Sequence, residues 1–259
     1  MSEERVVAQE LPWPPKVNDF FLPDIAGPWV TKFTVMIWIA VALLLIFFMV
    51  TYRKPQLVPG RGQWLSESLY GLIRDNVARD QMGTQGIRFA PYLTVLFSFI
   101  LVTNLFGVVP GLQISPNSHI AFPIVLAAIT YVLYLSIGIR KHGFFKYMKM
   151  NLILPNVPWP MHFLLVPIEF LQNFINQPVT LAVRLFANMF AGHLILLVFT
   201  VGGFVMLASD NVFIQVSSIF SFAMAILMAF FEVLVSILQA YVFVVLTANY
   251  VSKSLADEH

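Results

Sequence analysis

The sequence predicts an all-α polytopic membrane protein, and three observations carry that prediction. Of 259 residues, 59% are hydrophobic and only 11% are charged, where a soluble domain carries about 25% charged residues. The mean hydropathy is +0.81. The apolar residues also gather into runs long enough to cross a bilayer, which takes about 20 residues per helix. The same composition excludes several classes. Fifteen Lys and Arg against 13 Asp and Glu leave a net charge of +2, too little for a nucleic-acid-binding surface. With no Cys there is no disulfide framework, thiolate nucleophile or Cys-ligated metal. Neither a cofactor nor a metal is expected.

Residues 1–28 are polar, acidic and rich in Pro. They lack the basic start and apolar run of a secretory signal, and are expected to form an extracytoplasmic N-terminal segment. Residues 29–54 carry the first span: Phe33 to Tyr52 is apolar, with Lys32 before it and Arg53 and Lys54 after it. In residues 55–88, Leu65, Leu69, Leu72, Ile73 and Val77 recur at helical spacing, with Glu67, Arg74, Asp75 and Arg79 on other faces. That pattern fits an amphipathic helix on the membrane surface, and equally a surface helix packed on a partner.

Residues 89–150 read as a transmembrane hairpin and a basic loop. Phe89 to Val109 is the second span, closed by Pro110 and Gly111, and an uncharged loop, Leu112 to Asn117, leads to the third, Ile120 to Ile139. Arg140, Lys141, Lys146 and Lys149 follow. The loops after spans one and three are thus basic, which places them in the cytoplasm and the N-terminus outside.

Residues 151–259 form the last region. Met161 to Ala208 and Val212 to Ser252 are each too long for one upright span, since a helix of about 40 residues measures about 60 Å. Each must form a hairpin or tilt steeply. Pro178 offers a break in the first stretch; the second has no Pro after the Ser209–Asp210–Asn211 turn, which favours one long tilted helix. No internal repeat is evident, which counts against an inverted-repeat transporter.

Charge is scarce in this region. From Asn151 to Ser252 the only Lys or Arg is Arg184, and the only acids are Glu169, Asp210 and Glu232. A charge at the bilayer centre costs about 2.5–3.5 kcal/mol on insertion scales, so each calls for a function. Arg184 and Asn188 are i, i+4 and share a helix face. His193 is nine residues from Arg184, or about 900° of helical rotation, and falls on the opposite face. Glu232, Ser236 and Gln239 form one stripe. Arg does not deprotonate in proteins and can act only as a permanent charge, whereas His and a buried carboxylate can pass protons near neutral pH. This is the inventory of a proton path with a barrier in it. Interhelical polar contact is the alternative for His193, and helix–helix hydrogen bonding for Asn188, Ser236 and Gln239. His162 is expected at the interface; Trp38, Tyr92 and Trp159 are expected as interface or core aromatics.

Pro178-Val-Thr-Leu-Ala-Val-Arg184-Leu-Phe-Ala-Asn188-Met-Phe-Ala-Gly192-His193 resembles the signature of subunit a of F-type ATP synthases. Leu238-Gln239-Ala240-Tyr241-Val-Phe-Val-Val-Leu-Thr247 is similar to a second motif of that family, and Asn104-Leu-Phe-Gly-Val-Val-Pro110 to a third, weaker one. The motifs lie in the family's order, and the resemblance covers most of the chain beyond about residue 30. It implies transmembrane helices plus two long, strongly tilted helices packed against a rotating ring of c subunits. Protons would enter one half-channel, ride the ring on c-subunit carboxylates, and leave by a second.

On this resemblance Arg184 matches the family's essential Arg, and Asn188 and Gln239 match polar residues near it. His193 and Glu232 match two channel positions that in some members hold Glu and His in the opposite order, so the pair is kept. Glu169 resembles an acidic residue of the cytoplasmic channel, standing nine residues before Pro178 where some members have eight. Where many members carry an acid near the start of the third span, this chain has Ser118 and His119; His119 either substitutes at the outer entrance or leaves that position unused. The implied partners are the c-ring, the b subunits of the peripheral stalk, the rest of the complex and the lipid bilayer. The expected location is a bacterial plasma membrane, or an energy-transducing organelle inner membrane, with the C-terminus cytoplasmic. No phosphate-binding Gly loop occurs, so ATP chemistry would belong to partner subunits. The competing reading is an independent ion-coupled secondary transporter.

Overall fold

A computed structural model describes residues 31–53, 56–109, 115–153 and 159–256, with side chains from 161 onward in the last of these. The expectations for residues 1–28, for Trp159 and for most of the loop after the second span lie outside the described residues. All regular structure among those residues is helical: α1 (Lys32–Thr51), α2 (Arg61–Ile73), α3 (Ala90–Leu105), α4 (Ala121–His142), α5 (Phe144–Leu152), α6 (Trp159–Phe170), α7 (Gln177–Leu207) and α8 (Val212–Leu255). Five helical runs are long and apolar enough to cross a membrane: Lys32–Thr51, Arg61–Leu105, Ala121–His142, Met161–Leu207 and Val212–Leu255.

Two stretches have an internal geometry that the sequence pattern does not show. The amphipathic segment runs into the second span without an intervening coil. A π-helical turn (Arg74–Arg79), a single α turn (Asp80–Met82) and a 3-10 segment (Gly83–Phe89) join α2 to α3. Gly83 takes φ +62°, a conformation only glycine adopts without strain. A Cβ on Gly86 would stand 2.3 Å from the Ala78 carbonyl oxygen, so the chain folds back there at glycine contact distance. The second is at Pro178, where the helical run Met161–Leu207 continues and the hairpin alternative is not taken. Pro178 is the second residue of α7 and follows a π-helical segment, Leu171–Asn176. The Gln177 N–H donates to the Gln172 carbonyl, so the wider turn carries the helix past the residue that lacks a donor.

The other long stretch is one helix of 44 residues, as the absence of Pro suggests. The Ser209–Asn211 turn separates it from α7, with Asn211 Oδ1 accepting from the Phe213 N–H at 3.0 Å to cap the helix start.

The described residues group into two compact units. The first comprises residues through Ala40, Leu101–His119 and Ala187–Leu238. Within it the second half of α7 and the first half of α8 run antiparallel. Gly203 faces Phe222, whose ring leaves only 2.9 Å for a Cβ, Ser221 Oγ donates to the Phe199 carbonyl at 2.7 Å, and Gly192 faces Glu232. The same Phe222 ring meets that of Phe204 edge to face at 5.2 Å.

The second unit comprises Val41–Ile100, Ile120–Phe186 and the chain from Gln239. Its α4 ends at Gly143, whose φ of +79° turns the chain into α5. Tyr147 of α5 lays its ring on Gly138 of α4, where a Cβ would come within 2.2 Å of the ring, and its hydroxyl hydrogen-bonds Ser254 Oγ at 3.1 Å. Tyr134, Val251 and Leu255 form a buried cluster beside them, and Lys141 Nζ donates to the Leu255 carbonyl.

Candidate functional site

In the first unit Glu232 is the most informative side chain. It lies in mid-α8 and is 3% exposed, and neither carboxylate oxygen has a hydrogen-bond donor among the described residues. Two glycines make room for it. A Cβ on Gly107 would sit 3.4 Å from Glu232 Oε1, and a Cβ on Gly192 would sit 3.5 Å from its Cγ and 3.6 Å from Oε1. Larger residues at either position would crowd the carboxylate. Gly192 directly precedes His193, which is also buried, so the acid and the base of the expected pair flank one backbone position of α7.

A buried polar network supports the α8 side of this site. Asn117 Nδ2 donates to Thr103 Oγ1 at 2.8 Å and to Asn104 Oδ1 at 2.7 Å. The Asn104 Nδ2 reaches the Ser236 carbonyl at 3.5 Å, one helical turn beyond Glu232. Ser115 Oγ donates to the Thr103 carbonyl at 3.0 Å and accepts from the Asn117 N–H at 3.3 Å. Asn104, Asn117, Thr103 and Ser115 are all buried, so the cost of dehydrating them is met by their mutual hydrogen bonds. Ser236 Oγ is buried with no hydrogen-bond partner among the described residues. Asn188 is half-buried on α7, and His119 packs its ring 5.5 Å from Phe33.

Three expected residues belong to the second unit. Arg184 is exposed on α7, with exposed Val179 and Val183 nearby on the same helix. Glu169 is half-buried and begins a polar ladder: Asn173 Nδ2 donates to Glu169 Oε2 at 3.0 Å, and Gln177 Nε2 donates to Asn173 Oδ1 at 3.0 Å. Gln239 is buried near the start of this unit's part of α8. Among the described residues no group of three or more His, Asp or Glu is placed to hold a metal.

Sequence reading missed Gly107 and Gly192 as neighbours of Glu232, and Asn117 and Thr103 as members of the buried polar network. Gly107 and Asn104 stood inside a quoted motif, and Gly192 inside another, but one-dimensional spacing carries no sign that a carboxylate of α8 fills the space above them. Asn173 and Gln177 were legible in principle, as i+4 and i+8 from Glu169 on one helix face.

Fold and site together define a polytopic membrane protein with ionisable side chains inside its apolar helices. A family model described as ATP synthase A chain matches residues 34–252. The chain is 42% identical to the ATP synthase subunit a of Rhodococcus erythropolis, over 95% of this chain and 91% of that relative. It is 40% identical to the subunit a of a Nocardioides species, over 95% and 94%, and 39% identical to that of Streptomyces lividans, over 82% and 75%. The chain belongs to the ATP synthase subunit a family.

Proposed function

We propose that this chain is the non-catalytic, proton-translocating stator subunit of an F-type ATP synthase, with ATP chemistry left to partner subunits. Family membership supports the general role. The observation that carries the finer reading is the Glu232 carboxylate, buried without a hydrogen-bond donor among the described residues and set against Gly107 and Gly192. A buried acid without a donor is costly to keep, and inside a membrane span such a group marks an ion pathway. In this reading Glu232 and His193 form a relay in one half-channel, with Ser236 and Asn188 beside the path and His119 towards its outer mouth. Glu169, with Asn173 and Gln177, serves the cytoplasmic half-channel.

Arg184 separates the two channels. Its exposure on α7 suits a cation that meets a partner, the c-ring, rather than one buried for structure. As a group that does not deprotonate, it repels hydrated protons and pairs in turn with each arriving ring carboxylate, Gln239 standing near it in the family motif. One charge crossing 100 mV releases about 2.3 kcal/mol, which a leak between the half-channels would waste. The exposed apolar side chains of α8, among them Phe220, Leu227, Phe230, Phe231 and Leu234, suit a face covered by the ring and by lipid. The b subunits would hold the chain against rotation. The location in this reading is the bacterial plasma membrane.

The test uses the assembled complex in inverted membrane vesicles. Glu232→Gln should abolish most ATP-driven proton pumping with assembly intact. The double exchange H193E/E232H should restore a measurable part of it, because the relay needs the pair and not the order. Pumping unaffected by Glu232→Gln would refute the relay.

A further inference from the structure

The turn between α4 and α5 has no part in the proposed proton path, yet its chemistry is distinctive. No Asp or Glu occurs between Asp80 and Glu169. Within that interval Arg140 lies in the last turn of α4, and Lys146 and Lys149 lie one turn apart on α5, all three exposed. None of the three is paired with an acid among the described residues. Beside them Phe144 is 55% exposed and Phe145 86% exposed, their rings 5.6 Å apart and edge to face. The arrangement is held in place. Tyr147 pins α5 against Gly138, where no Cβ fits, and hydrogen-bonds Ser254, while Asn151 Nδ2 donates to the Tyr147 carbonyl at 3.0 Å. With Tyr147 and Asn151 turned inward, Phe145, Lys146 and Lys149 face out.

We propose that the α4–α5 turn binds the headgroup of an anionic phospholipid, with Arg140, Lys146 and Lys149 on the phosphate and Phe144 and Phe145 seated in the acyl boundary. A membrane lipid fits better than an acidic peptide. The patch begins at the last residues of a spanning helix, at the depth of the headgroups, and bare Phe rings beside unpaired cations match the two-layer chemistry of that depth. The inference rests on the membrane fold and not on the proton relay.

The chain has no Cys, so M148C in an otherwise cysteine-free assembled complex takes a bimane fluorophore beside the patch. The complex is placed in phosphatidylcholine vesicles carrying nitroxide-labelled phosphatidylglycerol or nitroxide-labelled phosphatidylcholine. Quenching by the phosphatidylglycerol label should occur at a mole fraction at least several-fold lower. That preference should vanish in R140Q/K146Q/K149Q and persist in R140K/K146R/K149R. Equal quenching by both lipids in the unsubstituted patch, a preference that survives neutralisation, or a fluorophore reached by neither lipid because a protein covers the turn would each overturn the proposal.

Discussion

Single side chains decide the chemistry of this molecule, and Glu232 shows how little of that is visible in one dimension. Its position in an apolar helix marks it as costly, but the sequence does not reveal that Gly107 and Gly192 leave the space it fills. A Cβ at Gly192 would meet the carboxylate at ordinary contact distance, so Gly192→Ala should be tolerated in assembly, while Gly192→Val should displace Glu232 and lower pumping. Assays of pumping and of subunit recovery on both variants check this. Asn117 lies 13 residues from Asn104 in the chain and bridges it to Thr103 in space, a contact no spacing rule predicts. Asn117→Ala would orphan two buried polar groups at about 1–3 kcal/mol, and a lower melting temperature of the purified complex is the expected result. Arg184, by contrast, stands out in the sequence alone, as the only Lys or Arg between Asn151 and Ser252.

At the level of elements, the long apolar runs were legible and their internal geometry was not. The first span falls within one residue of the expected bounds and α4 within three, since basic flanks and apolar length fix them. The single helix Val212–Leu255 follows from the lack of Pro. Pro178 left a hairpin and a long helix both open, because the rule that proline ends a helix assumes a regular hydrogen-bond ladder. The π segment Leu171–Asn176 supplies a different one, and the helix continues. Helix pairing depends on glycines whose value shows only against the partner. Gly203 admits the Phe222 ring and Gly138 the Tyr147 ring. Gly138→Ala should therefore cost about 1–3 kcal/mol by overpacking, α4 and α5 losing their contact; faster proteolysis of the α4–α5 turn in membranes measures it.

For the whole molecule, composition alone placed the chain in the membrane, and the five candidate spans agree. The orientation expected from charge puts Arg140, Lys141, Lys146 and Lys149 on the cytoplasmic side, and so the Ser209–Asn211 turn outside. Single cysteines report this directly, with K146C reacting with an impermeant maleimide from the cytoplasmic face and S209C from the opposite face. The reverse pattern would contradict the assigned topology. In the proposed function this scale carries coupling, which no isolated residue performs: two access paths would reach the rotor and never each other. The central claim is that Arg184 keeps them apart. The direct measurement is ATP-driven proton pumping together with passive proton leak in vesicles carrying the assembled R184A complex. The account predicts that pumping is lost while assembly is intact and leak is unchanged or raised. Coupled pumping at the unsubstituted rate would contradict it, and Arg184 would then be a structural residue.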